Sequence, residues 1–281
     1  MAASFQTLRA QYGSSLKRFI ASPRNLEVLT TVPADRQPPP PEVLYVLDSS
    51  FNPPTLAHLR IASSALLEKP GLSSRLLLLL ATQNADKPSK PASFEDRLVM
   101  MESFAQDLLS HLQTTSPSID QQRLPQIDIG VTKKPYFVDK AAEIESSGIY
   151  SSSLEQVHLT GYDTLIRIFN PKYYPPTHTL QPLAPFLSKH RLRVTLRPGD
   201  EWGEKDDQQA FLLDLAQGGR EAEGGKREWA ERIQFVEGQK PGEPSVSSTK
   251  ARDAIQSSPG DLEVLTPQNV RGYILAQNPY P

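Results

Sequence analysis

The sequence predicts an α/β protein built on a mainly parallel sheet with helices on both faces. Three observations support this class. Short apolar or β-branched runs alternate with helical patterns along most of the chain, as strands and crossover helices do. The chain has 281 residues, which is enough for one large α/β domain or two small ones. The sequence contains no internal repeat.

The predicted elements follow from residue type and periodicity. The runs with strand character are Val43–Leu47, Arg75–Leu80, Gln126–Val131, Gln156–Thr160, Leu192–Leu196 and Arg232–Val236. The helical patterns are Leu56–Leu67, Phe94–Leu112, Val138–Glu145, Asp163–Phe169, Asp206–Ala216, Ser248–Gln256 and Thr266–Gln277. The predicted loops, rich in Pro, Gly and polar residues, are Thr114–Pro125, Asn170–Pro185 and Gln217–Lys226.

The N-terminal region differs in composition from the rest of the chain. Residues 1–26 carry basic and hydroxyl side chains but no acid, and their apolar residues Phe5, Leu8, Tyr12, Leu16 and Ile20 recur at helical spacing. A mitochondrial presequence has this composition. An amphipathic helix packed on the domain also explains it, and we favour the helix because compositional signals of this kind give many false positives. The proline-rich spacer Pro33–Glu42 follows. We therefore divide the chain into residues 1–42, a helix with a spacer, and residues 43–281, one α/β domain.

Composition excludes several classes of function. The net charge is −2, so the basic excess of a nucleic-acid-binding protein is missing. There is no cysteine, which excludes disulfides, thiolate metal sites and a cysteine nucleophile. The longest apolar run, Leu76–Ala81, is far too short to span a bilayer. We expect a protein without nucleic-acid or membrane partners, cytoplasmic or nuclear, with a mitochondrial location as the alternative that the acid-poor N-terminus leaves open.

A first polar cluster directly follows the first predicted strand. In DSSFNPPTLAH (Asp48–His58), two serines end the strand and Asn-Pro-Pro forms a turn. Thr55 is a suitable N-cap for the helix that begins at Leu56. A helix N-terminus attracts anions, and His58 in the first turn is placed to donate to the same anion. The alternative is a half-buried histidine at an ordinary helix start.

A second hydroxyl-rich helix start lies near the C-terminus. In PSVSSTKARDAI (Pro244–Ile255), Lys250 and Arg252 occupy the first turn of a helix, where cations oppose the helix dipole. A bound polyanion explains these cations, and so does solvation of an ordinary capped helix. The residues alone do not decide between the two.

Two further clusters follow predicted strands. In LTGYDTL (Leu159–Leu165), Gly161 permits close approach of backbone to a ligand, and Asp163 is placed to accept from ribose hydroxyls or simply to cap the helix. In Asn84–Met101, Lys87 follows the second strand, and Arg97 lies on the next helix. We interpret Lys90 as a solvated loop residue.

These clusters are expected to meet, because ligands of open parallel sheets bind beyond the carboxyl ends of the strands. The sequence has neither a G-x-x-x-x-G-K-S/T loop nor a G-x-G-x-x-G turn. It is therefore neither a P-loop nucleoside triphosphatase nor an ordinary dinucleotide-binding protein.

At this point the motifs resemble those of a known family. SSFNPPTLAH is similar to GSFNPxTxxH, and VSSTKAR to ISSTKxR, the paired motifs of the nucleotidyltransferase superfamily. TGYD, FEDRLVM, RVTLRPG and LTPQNVRGYILAQNPY resemble further motifs of nicotinamide mononucleotide adenylyltransferases of the eukaryotic type. The resemblance implies a Rossmann-like nucleotidyltransferase domain. It also implies transfer of the adenylyl group of ATP to nicotinamide mononucleotide, giving NAD and pyrophosphate, with Mg²⁺ carried by ATP and no metal site of the chain's own.

The resemblance also assigns site residues. The catalytic residues would be His58 and Arg252. ATP would contact Ser50, Phe51, His58, Ser247, Ser248, Thr249 and Arg252. The mononucleotide would contact Ser49, Lys87, Tyr136, Phe137, Gly161, Asp163 and Arg197. Tyr136 or Phe137 would stack on the charged pyridinium ring through cation–π attraction, and the choice between them stays open.

The first motif departs from the family pattern at two positions. Ser49 replaces its glycine, and Asp48 places a negative charge beside it. These departures indicate a distant branch, a fungal one among the candidates, and they keep two alternatives open. One is a nucleotidyltransferase for another phosphate ester or an ATP-hydrolysing relative. The other is a non-catalytic nucleotide-binding protein. Oligomeric state, a homo-oligomer included, and the choice between amide and acid mononucleotides do not follow from the sequence.

Overall fold

The structure, a computed structural model, describes residues 2–35, 39–69, 72–83, 92–116, 124–199, 202–238, 243 and 245–280. Its strands are β1 Leu26–Val32, β2 Val43–Asp48, β3 Ser74–Ala81, β4 Gln126–Thr132, β5 Glu155–Gly161, β6 Arg191–Thr195 and β7 Ile233–Val236. Its α-helices are α1 Ala2–Ala21, α2 Leu56–Glu68, α3 Phe94–Thr115, α4 Phe137–Ser146, α5 Tyr162–Ile168, α6 Ala184–Lys189, α7 Lys205–Gln217, α8 Ser248–Ser257 and α9 Gln268–Gln277.

The strands form one seven-stranded sheet in the order β1-β4-β3-β2-β5-β6-β7. Every neighbouring pair is parallel except β1 and β4, which are antiparallel. After β2 the chain adds β3 and β4 on one side, and then β5, β6 and β7 on the other. The order therefore reverses between β2 and β5, where ligands of such sheets bind. The predicted α/β class with a mainly parallel sheet is confirmed.

Helices cover both faces of the sheet, as the buried strands require. The largest apolar cluster packs residues of α1, α2, α3, α8 and α9 against one face. A second cluster packs α4, α5, α6 and α7 against the other face, mainly around β6. None of the helices in the described ranges is long and apolar enough to cross a membrane.

Two elements were absent from the sequence-based prediction. Strand β1 has only Leu26 buried, because it forms the antiparallel edge of the sheet, so it shows no continuous apolar run. Helix α6 lies at the end of the predicted loop Asn170–Pro185. That segment contains two short 3₁₀ helices and buries Tyr174, Leu180 and Leu183 in the second cluster. It is therefore part of the core rather than a surface loop.

Helix α1 packs on α3 and on the main core. Tyr12, Leu16 and Phe19 are buried, whereas Ile20, which the spacing assigned to the same stripe, is 56% exposed. The buried positions are four and three residues apart, so they form one face of the helix. Arg9 donates to Asp96 of α3 at 2.6 Å, which fixes the helix further. The division of the chain at residue 42 stays a prediction. In the structure α1 packs on one face of the sheet, and β1 is the edge strand of the same sheet.

We predict that Phe19→Ala lowers the free energy of unfolding by about 3–5 kcal/mol, because it removes a fully buried ring from the core. Urea denaturation followed by circular dichroism measures the effect. The neighbouring Ile20→Ala is the matched control and should change stability by no more than about 0.5 kcal/mol. Equal losses from the two variants would contradict the packing of α1.

Candidate active site

A cavity of about 220 Å³ opens at the reversal of strand order, beyond the carboxyl ends of β2, β5 and β6. Its floor is formed by the last residues of these strands and its walls by the start of α2 and the approach to α8. The lining residues are Leu47, Asp48, Ser49, Thr55, Ala57, His58, Arg60, Ile61, Leu159, Thr160, Gly161, Asp163, Thr164, Thr195, Leu196, Arg197, Gly238 and Ser245–Ser248. The predicted polar clusters after β2 and β5 and before α8 therefore meet in one place.

The turn between β2 and α2 has an unusual backbone. Phe51 adopts a left-handed conformation with φ of 46°, rare for a residue with a side chain. Its ring is fully buried and packs near Phe104 and His58, with centroid distances of 6.4 and 5.5 Å. The turn is tied to α3, because Arg97 Nη1 donates to the Ser50 carbonyl at 3.1 Å. The amide of Ala92 donates to Asn52 Oδ1, also at 3.1 Å.

The second motif closes directly on the first. Arg252 Nη1 donates to the Asn52 carbonyl at 2.7 Å, and Ser248 Oγ donates to the Pro53 carbonyl at 2.8 Å. Arg252 Nη2 also donates to Thr249 Oγ1 at 3.1 Å. Helix α8 is capped by Ser247, whose Oγ accepts from the Lys250 amide. The starts of α2 and α8 are far apart in sequence. Hydrogen bonds from α8 side chains to the turn between β2 and α2 hold them together.

His58 is fixed through both ring nitrogens. The Thr55 amide donates to Nδ1 at 3.1 Å, so in the neutral ring the hydrogen is on Nε2. Nε2 lies 3.0 Å from Ser49 Oγ and donates to it. Burial, with a contribution from the positive Arg197 guanidinium, lowers the pKa of His58 to about 4, and Asp163 opposes this shift. At neutral pH the side chain is therefore an uncharged donor that faces the cavity.

The N-terminus of α2 has one amide fewer for a ligand than the sequence suggests. The amide of Leu56 donates to the Leu265 carbonyl at 3.0 Å. This bond ties the helix start to the segment before α9. The helix dipole still points its positive end at the cavity.

Asp48 does not leave an isolated negative charge beside the cavity. Its Oδ2 accepts from Lys140 Nζ of α4 at 2.6 Å, and only 10% of the lysine side chain is exposed. Because the ammonium balances the carboxylate, the departure from the family motif at this position is compensated by a residue far along the chain. Ser49, the other departure, is the hydrogen-bond partner of His58.

Gly161 ends β5 where the chain turns into α5. A Cβ at this position would lie 2.6 Å from Asp163 Oδ1, so the missing side chain makes room for that carboxylate. Asp163 Oδ1 in turn lies 3.4 Å from Arg197 Nη1. The turn thus holds a carboxylate and a guanidinium together at the cavity wall.

The structure brings together only part of the predicted site. The predicted residues that line the cavity are Ser49, His58, Gly161, Asp163, Arg197, Ser247 and Ser248. Those that do not line it are Ser50, Phe51, Tyr136, Phe137, Thr249 and Arg252. Lys87 lies outside the described residues, as do Asn84 and Lys90. The Phe137 ring packs edge-on against His158 and Phe186, at 5.0 and 4.9 Å, which makes it part of the second apolar cluster.

Several residues at the site were not among the predicted site residues. Arg97 is 1% exposed, so it is a buried arginine of α3 rather than a solvated one. The available signal was that Met100 and Met101, three and four positions further on, share its helix face, which a solvated face would fill with polar residues. Arg60, Thr160, Thr195 and Ser245 also line the cavity. Thr160, Thr195 and Ser245 lie inside the quoted stretches LTGYDTL, RVTLRPG and PSVSSTKARDAI, but neither the residue patterns nor the resemblance gave them a role.

The described residues contain no group of three or more His, Asp or Glu side chains arranged to hold a metal ion. The carboxylates that line the cavity, Asp48 and Asp163, are each paired with a cation of the chain. The remaining polar groups are hydroxyls, amides and donors of positive character. Such a set suits phosphates.

No protein-family model matches the chain. A Schizosaccharomyces pombe protein, provisionally named a nicotinamide mononucleotide adenylyltransferase, is 35% identical over 273 residues, which are 96% of this chain and 97% of the relative. The structure of Plasmodium falciparum nicotinic acid mononucleotide adenylyltransferase complexed with NaAD covers 84% of this chain and 96% of its own, with a TM-score of 0.53 and 12% identity. At that identity the second likeness concerns the fold alone.

We predict a favourable coupling between Asp48 and Lys140. Asp48→Asn and Lys140→Met should each destabilise the protein, and the double variant should lose less than the sum, by about 1–3 kcal/mol, because each single change leaves a poorly solvated partner unpaired. Urea denaturation of the four proteins measures the coupling. The exposed pair Arg227 and Glu221 is the control and should show none that is measurable. Purely additive losses would contradict the ion pair.

We also predict that the pKa of His58 lies near 4 without ligand and rises when ATP binds, because a polyanion stabilises the imidazolium. NMR titration of the five histidines measures both values, and His58→Gln identifies the signal. An unperturbed value in the ligand-free protein, near 6.5, would contradict the buried, doubly bonded ring.

Proposed function

The chain belongs to the nicotinamide mononucleotide adenylyltransferase family, and from that premise we propose that it transfers the adenylyl group of ATP to nicotinamide mononucleotide, giving NAD and pyrophosphate. Nicotinic acid mononucleotide is the alternative acceptor. Membership makes the protein a nucleotidyltransferase of NAD biosynthesis that acts on nucleotides.

The observation that carries the proposal is the closure of the second motif on the first. Arg252 and Ser248 of α8 bond the turn that leads to His58, so two hydroxyl-rich helix starts adjoin one cavity. Each start alone has an ordinary structural explanation. Together they form a concave surface of amides, hydroxyls and cations, which is the chemistry that binds a polyphosphate.

The proposed reaction is an in-line displacement. A phosphate oxygen of the mononucleotide attacks the α-phosphorus of ATP, and the bond from this phosphorus to the oxygen that bridges to the β-phosphorus breaks. The electron pair of that bond leaves with pyrophosphate. No covalent intermediate with the chain is required. The protein therefore contributes positioning and stabilisation of charge rather than a nucleophile.

His58 would donate its Nε2 hydrogen to a phosphate oxygen of ATP. The Thr55 amide holds the ring in the tautomer that has this hydrogen, and the low pKa keeps it uncharged at neutral pH. To donate to ATP, the ring gives up or shares its bond with Ser49 Oγ. The Ser49 hydroxyl keeps its own hydrogen throughout and could donate it to the same phosphate.

Arg252, Ser247, Ser248 and Thr249 would hold the β- and γ-phosphates. Arg252 lies outside the cavity wall with Nη1 on the Asn52 carbonyl. Within the described ranges its Nη2 donates to the exposed Thr249 hydroxyl, a bond that a phosphate oxygen can replace. The guanidinium could therefore bridge the turn and the departing pyrophosphate without losing its anchor.

The acceptor would lie on the side of Asp48, Gly161 and Asp163. Asp163 is placed to accept from ribose hydroxyls, and Arg197 adds positive charge. The Phe137 ring is engaged in the second cluster, which favours Tyr136 as the aromatic group for the pyridinium. The positions of Lys87 and of Ser50 and Phe51 relative to the nucleotides stay predictions.

Mg²⁺ would arrive on the phosphates of ATP. When bound, it neutralises charge on the phosphate oxygens. The paired state of Asp48 and Asp163 favours this arrangement over a metal site built by the chain. The cytoplasmic, nuclear or mitochondrial location and a homo-oligomeric state likewise stay predictions.

The test is incubation of the purified protein with ATP, Mg²⁺ and a panel of phosphate esters, with products identified by mass spectrometry. We expect NAD from nicotinamide mononucleotide or its acid analogue from nicotinic acid mononucleotide, with pyrophosphate. His58→Ala should lower kcat/KM about 100- to 1000-fold, as the loss of a donor to developing charge does. His111→Ala, on α3 and outside the cavity, is the control and should retain activity.

Each other outcome identifies a different function. A product formed only from another phosphate ester would identify a different acceptor. ADP or AMP without a dinucleotide would indicate hydrolysis of ATP. Nucleotide binding without any product would indicate a binding protein. Any of these would overturn the proposal.

A further inference from the structure

The cavity contains two buried hydroxyls that nothing binds in the part of the chain that the structure describes. They are Thr160 Oγ1 at the end of β5 and Thr195 Oγ1 at the end of β6. Both residues line the cavity and are more than nine-tenths buried, with exposures of 8% and 6%. A buried hydroxyl without a partner destabilises a folded protein, so each requires an explanation.

Other buried threonines of this protein have partners. Thr132 donates to the Asn25 carbonyl at 2.9 Å, and Thr266 donates to the Leu262 carbonyl at 2.8 Å. Thr55 contacts His58 Nδ1 at 2.9 Å. The unsatisfied threonines are thus the pair at the ends of β5 and β6, where the cavity is.

The two hydroxyls belong to opposite faces of the sheet. Thr195 is in register with Gly161, and Thr160 with Val194, so the pairs alternate between faces. Thr195 shares its face with Arg193, which donates to Ser64 Oγ and to Glu68 of α2. Thr195 therefore lies on the α2 side of the sheet, together with His58.

The backbone after β7 packs closely on Thr195. A Cβ at Gly238 would lie 2.4 Å from Thr195 Cγ2, so the absence of a side chain at Gly238 makes this approach possible. The groups expected to bind phosphate lie elsewhere, at the starts of α2 and α8. A neutral hydroxyl, which donates once and accepts twice, matches the edge of a nucleobase or a ribose hydroxyl better than a phosphate.

We propose that Thr195 Oγ1 binds the nucleoside part of the donor nucleotide, an assignment that rests on the proposed function. The bond would supply the partner that the hydroxyl lacks in the ligand-free protein. The unsatisfied hydroxyl would lower the stability of the ligand-free protein, and its bond to the nucleotide would strengthen binding. This predicts opposite effects of one substitution on stability and on affinity.

The test uses Thr195→Val, which keeps the shape of the side chain and removes the hydroxyl. Without ligand, its melting temperature should rise by about 2–4 °C, since an unsatisfied group is removed. Its affinity for ATP, measured by calorimetry without acceptor, should fall about fivefold to tenfold. Thr195→Ser should restore most of the affinity. Thr132→Val, the matched control, should lower the melting temperature and leave ATP affinity unchanged, because that hydroxyl has a partner.

Analogues of ATP identify the partner group. The affinities of 2′-deoxy-ATP, 3′-deoxy-ATP and purine riboside triphosphate should each fall in Thr195→Val, except for the analogue that lacks the group bound by Thr195. The affinity of inorganic tripolyphosphate should be the same in both proteins. An equal loss for tripolyphosphate, an unchanged ATP affinity, or a lowered melting temperature in Thr195→Val would each overturn the proposal.

The experiment separates the two proposals. ATP binding that depends on Thr195, in a protein that forms no dinucleotide, would retain the site and remove the proposed function. No binding of ATP by the unmodified protein would overturn both.

Discussion

The site depends on one turn, Ser49 to Thr55, whose backbone is bound from several distant segments. Phe51 in a left-handed conformation costs about 1–2 kcal/mol. Four hydrogen bonds, from Arg97, Ala92, Arg252 and Ser248, hold the turn against that cost. At about 0.5–1.5 kcal/mol net for each, they outweigh it. Because the donors come from α3, the segment before it, and α8, the turn forms only when the whole face of the sheet is assembled.

The distribution of charge follows from the same assembly. The chain as a whole has a net charge of −2, yet the carboxylates at the cavity are paired, Asp48 with Lys140 and Asp163 with Arg197. Arg97 and Arg252 bond backbone carbonyls of the turn, and neither forms an ion pair within the described residues. Positive charge is therefore concentrated behind and beside the turn. Burial of Arg97 lowers its pKa, as expected for a cation without a counter-charge, and its field strengthens attraction for an anion at the turn.

The sequence alone was sufficient for the fold class and for the convergence of the two motifs, because both depend on local patterns. Buried parallel strands such as Leu76–Leu80 are continuous apolar runs, and hydroxyl-rich helix starts are short motifs. Features that depend on tertiary partners could not be predicted. Strand β1 is defined by its pairing with β4, and Phe137 by its contacts with His158 and Phe186. The unsatisfied state of Thr195 is likewise visible only once its surroundings are known.

The two departures of the first motif from the family pattern, Asp48 and Ser49, leave the net charge of the site unchanged. They change the hydrogen bonds made before a ligand binds. Lys140 balances Asp48, so no net negative charge opposes a phosphate. Ser49 accepts from His58 Nε2 while Thr55 donates to Nδ1, and the imidazole is therefore held at both nitrogens before a ligand arrives. A glycine at position 49 would leave Nε2 without this protein partner. The serine thus orders the ring in advance, which reduces the entropy lost on binding, and in exchange the phosphate must compete for the Nε2 hydrogen. The Ser49 hydroxyl keeps its own hydrogen, so it can donate to the same phosphate as His58 Nε2. Both groups are then available to the phosphate as donors.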